Sequence, residues 1–415
     1  MLLAVFLNDL EVARLERQGD GLIDFVFLDS YRQRRARPVL SVHYLDKLRA
    51  PSSPAHRLPA FFANLLPEPD GPLRRLITQA AGIREQQDLR LLAHLGQDLP
   101  GAVRVQLLED SDDGGRAHPE PGVAAPQTGN KLRFSLAGVQ LKFSMLRDGK
   151  ALTLPASGRG GDWIVKLPDL EHERVPENEY AVMTWARESG INVPEFDIVT
   201  RADLIGLPDR RFVRDGELCF AIRRFDRPPA AARVHIEDFA QVNGRYPGDK
   251  YDEDRPVAER LNYETLANQI LTFCGEADLR EFIRRLVFVV LAGNADAHLK
   301  NWSLYYPDGR TPRLSPAYDM VATIVYTGTS DVLALPFHGS LAFADVTMAG
   351  FRRLAGKLRR DPDEMARWVA EDVARIMDTW SAQSRGLPLA FETRYALEQH
   401  HRRLRAAPDT LLGGV

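Results

Sequence analysis

The sequence predicts an α+β protein: two lobes preceded by a small N-terminal α/β subdomain. Three patterns carry this reading. Residues 1–107 mix strand-like and helical segments, 131–245 are dominated by short strand-like runs, and 246–415 by helical periodicity. A β-rich lobe followed by an α-rich lobe leaves a cleft between them.

In the first segment "LLAVFL" and "LIDFVFL" read as strands, and "PAFFANLLP" and "GPLRRLITQAAG" as helical. Residues 108–130, "LEDSDDGGRAHPEPGVAAPQTGN", are rich in Asp, Gly and Pro and read as a linker or long loop. "RFSLAGVQLKFSML" then predicts two strands joined at "SLAG", where Gly138 is free to take positive φ. "GDWIVKLP" is a short strand stopped by Pro168. "ENEYAVMTWARESGINVP" is a helix with Gly190 past its end and Pro194 beyond. "ELCFAIRRFDR" is strand-like, with "EDFAQV" as a connector. Beyond 245, Asp278 and Glu281 stand at capping-box spacing, and Leu279, Phe282, Ile283, Leu286, Val287, Val290 and Leu291 follow helical spacing. Asp361 and Glu364 repeat the capping signal around Pro362. The stripe from Met365 to Trp380 behind them reads as core.

Composition narrows the class. The 415 residues suit two or three domains, and 44% hydrophobic content suits a globular chain. A net charge of −3 argues against a chain that is basic throughout, though not against a local basic patch. Cys219 and Cys274 form no CxxC pair, so a disulfide framework or zinc site is not expected and a reducing cytoplasm is. The first residues make a poor signal peptide, and no stretch reaches 18 apolar residues, so no membrane partner is expected. Arginine far outnumbers lysine, which singles out Lys142, Lys166 and Lys300 as places where a compact ammonium matters.

The chemistry concentrates in "LAGNADAHLKNWSLYYPDGRTPRLSPAYDM", residues 291–320. Asp296 and Asn301 stand as D-x-x-x-x-N, the spacing of a protein-kinase catalytic loop. There the Asp receives the substrate hydroxyl proton and the Asn holds magnesium. Asp319 sits where a kinase places its second metal-binding acid. A "PDG" turn between "WSLYY" and "RLSPAY" predicts the hairpin that returns Asp319 to Asp296. Hard Mg²⁺ prefers oxygen ligands, which Asn301 and Asp319 supply. His298 and Lys300 are placed to contact phosphate or brace the loop. "WIVK" ends in Lys166, the shape of the strand lysine that holds α- and β-phosphates. Glu179 on the next helix is its expected partner, with Glu177 as the competing choice. "SLAGVQLK" is a weak phosphate loop, with amides near Gly138 and with Lys142 as its basic residue. Ser135 reads on its own as a turn residue.

At this point the sequence resembles the HipA-type toxin kinases. "RFSLAGVQLKFSM", "WIVKLP", "NEY", "RFDR", "EDFAQ", "NADAHLKNWSL" and "LSPAYDM" occur in that family's order. "FFANLLPEPDGPLRRLI" and "LLAHLGQDLPGAVRV" resemble its first domain. The D-x-H-x-x-N core is also similar to the phosphatidylinositol-kinase-like catalytic loop. The resemblance implies a two-lobed protein-kinase-like fold and an ATP- and Mg²⁺-dependent Ser/Thr kinase. It implies Asp296 as catalytic aspartate, Asn301 and Asp319 as metal ligands, and Lys166 on the phosphates. Ala137, Gly138, Val139, Gln140, Leu141 and Lys142 would form the phosphate loop, and Glu237, Asp238 and Phe239 an adenine-facing hinge through backbone groups. His298, Leu299, Lys300 and Asn301, with Tyr318, Asp319, Met320 and Val321, would line the rest of the nucleotide site. Ser135 matches the serine that such kinases autophosphorylate. The implied partners are a HipB-like helix-turn-helix antitoxin, operator DNA through that complex, and a protein substrate of the glutamyl-tRNA synthetase class. The alternatives are a non-catalytic antitoxin- and DNA-binding corepressor scaffold, or a small-molecule or lipid kinase on the same fold.

Overall fold

Alternating apolar residues build the first sheet. In the computed structural model β1 (Leu2–Leu7) sends Leu3, Val5 and Leu7 into the core, and β2 (Leu10–Arg17) sends Val12 and Leu15. With β3 (Ile23–Phe27) and β4 (Val103–Glu109) they form an antiparallel sheet of order β3-β2-β1-β4. Helices α1 (Asp29–Arg32), α2 (Ala60–Ala63), α3 (Pro72–Ala81) and α4 (Asp88–Leu95) lie between β3 and β4. The sequence reading had left β2 and β4 unassigned. The structure describes residues 1–48, 50, 53–69, 71–110, 141–155, 160–169, 171–207, 212–229, 232–326, 332–407 and 409–413. Ser135 and residues 137–140 of the expected phosphate loop therefore lie outside the described residues, as does most of the 108–130 stretch.

The second sheet has order β8-β10-β7-β5-β6-β9. Its strands are β5 (Lys142–Asp148), β6 (Ala151–Thr153), β7 (Trp163–Lys166), β8 (Phe196–Thr200), β9 (Leu204–Ile205) and β10 (Leu218–Arg223). Side chains of a strand alternate between faces. Trp163, Val165, Cys219 and Ala221 accordingly join the core of the N-terminal subdomain, whereas Phe220 and Ile222 join the core of the helical lobe. Helix α5 (Val175–Glu188) packs on that second face and ends before Gly190 at φ +84°. It starts at Val175, two residues before the Glu177 that opens the sequence-read helix.

The connector "EDFAQV" is more ordered than its sequence indicated. It closes β11 (His235–Asp238) and opens the single turn α6 (Phe239–Val242), where Asp238 and Gln241 form a reciprocal cap. Strand β11 pairs with β12 (Ser303–Tyr306), which pairs with β13 (Arg313–Leu314). The predicted hairpin is thus present. Its turn is closed by Asp308, which accepts from the Arg310 and Thr311 amides, and by Gly309 at φ +74°.

The helical lobe is built on α7 (Tyr263–Cys274) and α8 (Glu276–Leu291), with β14 (Val332–Phe337) and β15 (Ser340–Ala342) as a small ribbon. Helices α9 (Met348–Lys357), α10 (Pro362–Gln383) and α11 (Phe391–Ala406) complete it. Asp361 caps α10 as expected, accepting from the Asp363 amide. Asp278 does not cap α8. That helix starts at Glu276, so Asp278 falls inside its first turn, where Arg313 claims the carboxylate at 2.6 Å. Glu281 instead pairs with Arg285 and Arg284. The α8 stripe read from the sequence is wholly buried. Among the described residues, no helix is long and apolar enough to cross a membrane.

The last carbonyls of α8 are satisfied from outside the helix. His400 and His401 on α11 donate from Nε2 to the Val290 and Leu291 carbonyls at 2.7 and 2.8 Å. Burial lowers the His401 pKa from 6.5 to about 4. The unfolded chain then binds the proton more readily, so His401's contribution is intact above pH 6.5 and is lost as pH falls toward 4. The melting temperature of His401→Gln should therefore change less steeply between those values than that of the parent protein. Equal slopes would refute this account.

Candidate active site

Strand alternation aims Lys166. It shares a face of β7 with Ile164, opposite Trp163 and Val165, and so points toward the helical lobe. Its ammonium meets Glu179 on α5 at 2.5 Å and also donates to the Asp319 carboxylate. Glu177, the competing choice, turns outward to Arg174. Burial alone would lower the Lys166 pKa; Asp319 and Glu179 reverse that and raise it. Burial likewise would raise Asp319, but Lys166 and Lys142 hold it down at about 2. In Glu179 burial wins and lifts the carboxyl to about 7 against the pull of Lys166. The Lys142 ammonium is lowered to about 8, by burial first, with Lys166 and Lys300 adding repulsion and Asp319 opposing.

The other half of the site hangs from the end of α8. Gly293, at φ +59°, turns the chain, and a Cβ there would meet the Ile324 side chain at 2.5 Å. Asn294, absent from the sequence reading, joins the two acidic loops. Its Oδ1 accepts from the Asp296 amide at 2.9 Å, and its Nδ2 donates to the Asp319 carbonyl at 3.4 Å. Ala295 donates to the Thr323 hydroxyl, and Ile324 to the Gly293 carbonyl. Asn301 closes the loop by donating Nδ2 to the Asp296 carbonyl at 2.6 Å. Asp319 itself adopts φ +55°, uncommon for a non-glycine residue and a mark of a constrained position. Burial lowers the His298 pKa to about 4, so its ring is neutral at pH 7, with Nε2 3.8 Å from Asp296.

These groups line one cavity of about 780 Å³. Lys142, Lys166, Glu179, Asp238, Asp296, His298, Lys300, Asn301, Tyr318, Asp319 and Val321 all contribute to its wall. Leu299 and Met320 do not; they are buried in the core of the helical lobe. Leu141 packs toward the N-terminal subdomain. The expected hinge also divides. Glu237 is buried against the Val42 amide and Tyr306, with its carboxyl raised to about 7 by burial, and Phe239 is in the core. The Phe239 amide is spent on the Trp302 carbonyl and that of Asp238 on Gln241. The cavity is also lined by the end of β10 and the residues after it, Ile222 to Asp226, which overlap "RFDR". Ile222 and Phe225, with Ile164, Ile236 and Tyr318, supply apolar surface to the cavity. Sequence alone offered one signal for this segment: a strand running directly into charged residues.

Residues 3–106 match the HipA N-terminal domain family, and residues 134–380 match the HipA-like C-terminal domain family. The chain belongs to the HipA family. It is 42% identical over 397 residues to "Putative kinase Y4dM" of Sinorhizobium fredii, across 94% of this chain and 93% of that protein. It is 28% identical over 308 residues to the Shewanella oneidensis "Serine/threonine-protein kinase toxin HipA", across 68% of this chain and 66% of that one. A solved Shewanella oneidensis MR-1 complex of HipA, HipB and operator DNA contains a chain of the same fold. The TM-score is 0.73 at 20% identity, covering 98% of this chain and 96% of that one. The two-lobed, kinase-like α+β architecture is therefore that of a HipA-family kinase, as the sequence predicted.

The donor set of this HipA-family chain fits a magnesium ion held mainly by nucleotide. Among the described residues no group of three His, Cys, Asp or Glu side chains converges on one point. Asp319 and Asn301 both line the cavity, and Mg²⁺ commonly takes one or two protein ligands plus phosphate and water oxygens.

Lys300 lines the cavity, but its ammonium is already engaged. Its ammonium is buried on Asn64 Oδ1 at 2.9 Å, the Asn64 carbonyl at 3.3 Å and Asp238 at 3.2 Å. It therefore braces the loop from Asp296 to Asn301 against the N-terminal subdomain. Removing one partner of a buried charge pair leaves the other uncompensated, so Lys300→Met should lower unfolding stability by about 3 kcal/mol. Unchanged stability in urea unfolding, with only a raised KM for ATP, would return Lys300 to a phosphate-binding role.

Proposed function

We propose that this HipA-family chain is an ATP-dependent Ser/Thr protein kinase acting in the cytoplasm as the toxin of a HipBA-like toxin–antitoxin pair. The observation that carries the reading is the convergence of Lys166, Glu179, Asp319, Asn301 and Asp296 on one cavity. The apolar end formed by Ile164, Ile222, Phe225 and Ile236 suits an adenine ring, with Tyr318 beside Phe225. Lys166 takes the α- and β-phosphates while Glu179 keeps its ammonium in place. Asn301 and Asp319 would hold Mg²⁺, which when bound offsets the triphosphate charge. Asp296 orients the acceptor hydroxyl and receives its proton as that oxygen attacks the γ-phosphorus and ADP departs.

The toxin assignment draws on the Shewanella oneidensis relative named as a kinase toxin and on the solved complex with HipB and operator DNA. By the same likeness we assign a HipB-like antitoxin as partner and operator DNA through that complex; the target of the glutamyl-tRNA synthetase class is proposed from the resemblance of the sequence motifs to the family. Ser135 is the proposed autophosphorylation site.

The test is transfer of ³²P from ATP to the chain itself and to purified glutamyl-tRNA synthetase. Asp296→Asn should cut transfer by about 10³-fold or more, and Asp319→Ala should abolish Mg²⁺-dependent turnover with the fold retained by circular dichroism. Full activity in either variant would overturn that residue's role. Ser135→Ala should still label the target yet no longer inactivate itself; continued self-shutdown would move the modification elsewhere.

A further inference from the structure

Asp296 is half-exposed, with 49% of its side chain open to solvent, and a carboxylate so placed rotates freely unless something holds it. One group does. Tyr251, 45 residues upstream, donates its phenolic hydroxyl to Asp296 Oδ1. Burial first, and then the charge on Asp296, raise the Tyr251 pKa, which keeps that hydroxyl protonated and donating at neutral pH.

The tyrosine is itself fixed. Its ring meets the buried His298 ring edge-on at 5.0 Å. The Leu299 amide of the catalytic loop donates to the Lys250 carbonyl at 3.2 Å. On the other side Asp252, at φ +55°, is buried on the Leu261 amide at 3.0 Å and on Arg245 at 3.2 Å. Lys250 also reaches Glu68 of the N-terminal subdomain at 3.9 Å. The segment 250–252 is thus a bracket fastened to the catalytic loop at two points.

We infer that Tyr251 is a positioning residue for phosphoryl transfer: by holding Oδ1 of Asp296 it turns Oδ2 toward the acceptor hydroxyl. The inference rests on the proposed role of Asp296. In this role Tyr251 acts through the aspartate and not on the reacting groups themselves. A misplacement of about 1 Å at a reacting group can cost about 10²-fold in rate, which sets the scale of the effect.

The experiment is steady-state kinetics of full-length Tyr251→Phe, Asp296→Asn and the double variant, with the protein acceptor saturating. Tyr251→Phe keeps the ring and its packing on His298, and its melting temperature reports folding. We expect kcat to fall about 10- to 100-fold with KM for ATP within about twofold of the parent. The double variant should be no slower than Asp296→Asn alone, because a residue acting through Asp296 has nothing left to act on. An unchanged kcat in Tyr251→Phe, or losses that multiply in the double variant, would overturn the inference. Full activity in Asp296→Asn would instead overturn the reading of the site on which it rests.

Discussion

A lysine ammonium buried between two carboxylates sets the terms for this molecule. An unpaired buried ammonium costs several kcal/mol, so Lys166 is stable where it is only if Glu179 and Asp319 both reach it. Lys166 comes from a sheet strand, Glu179 from the helix on that sheet's face, and Asp319 from the segment after the β12–β13 hairpin. Three separate pieces of chain must arrive together, and the packing of both lobes follows from that demand. In this arrangement Asp319 occupies Lys166. On the proposed mechanism phosphate oxygens take over as the lysine's partner and Asp319 turns to the cation, so the same charges serve the empty and the loaded site.

The N-terminal subdomain belongs to this machinery. One face of the six-stranded sheet is buried by its apolar residues, so the strand that carries Lys166 is stiffened from behind. Asn64 takes the Lys300 ammonium, and its Nδ2 donates to the Arg245 carbonyl. Asp98 enters a buried cluster with Arg224, Asp226 and Arg227, where Asp226 is held well below the usual carboxylate range because the two arginines outweigh its burial. That cluster anchors the residues after β10 that line the cavity. Removing the subdomain would expose the back of the sheet and strand two sets of buried charges.

Period and spacing made much of this legible in the sequence. The strand ending at Lys166, the buried stripe of α8 and the hairpin around Gly309 each follow from a local rule, and the structure has them where the rule puts them. Asn64, Tyr251 and Asn294 were invisible because their importance depends on partners: Asn64 meets Lys300 across 236 residues of chain and Tyr251 meets Asp296 across 45. Glu237, Asp238 and Phe239 came from the family resemblance and not from a local rule; of their side chains Asp238 lines the cavity, while Glu237 is the buried partner of Tyr306 and Phe239 lies in the core. Asp278 shows the converse error, a capping pattern whose acid serves a salt bridge because Gly275 starts the helix earlier.

Exposure also sorts the charges by task. The Lys166 and Glu179 side chains are 8% and 1% exposed, whereas that of Asp296 is 49% exposed. Coulombic interactions strengthen as water is excluded, so the groups proposed to grip phosphate sit where each charge counts most. The carboxylate proposed to meet the acceptor lies at the wet rim, where a hydroxyl on another protein can reach it. A carboxylate so exposed suits, on the proposed function, an acceptor hydroxyl presented from the surface of another protein.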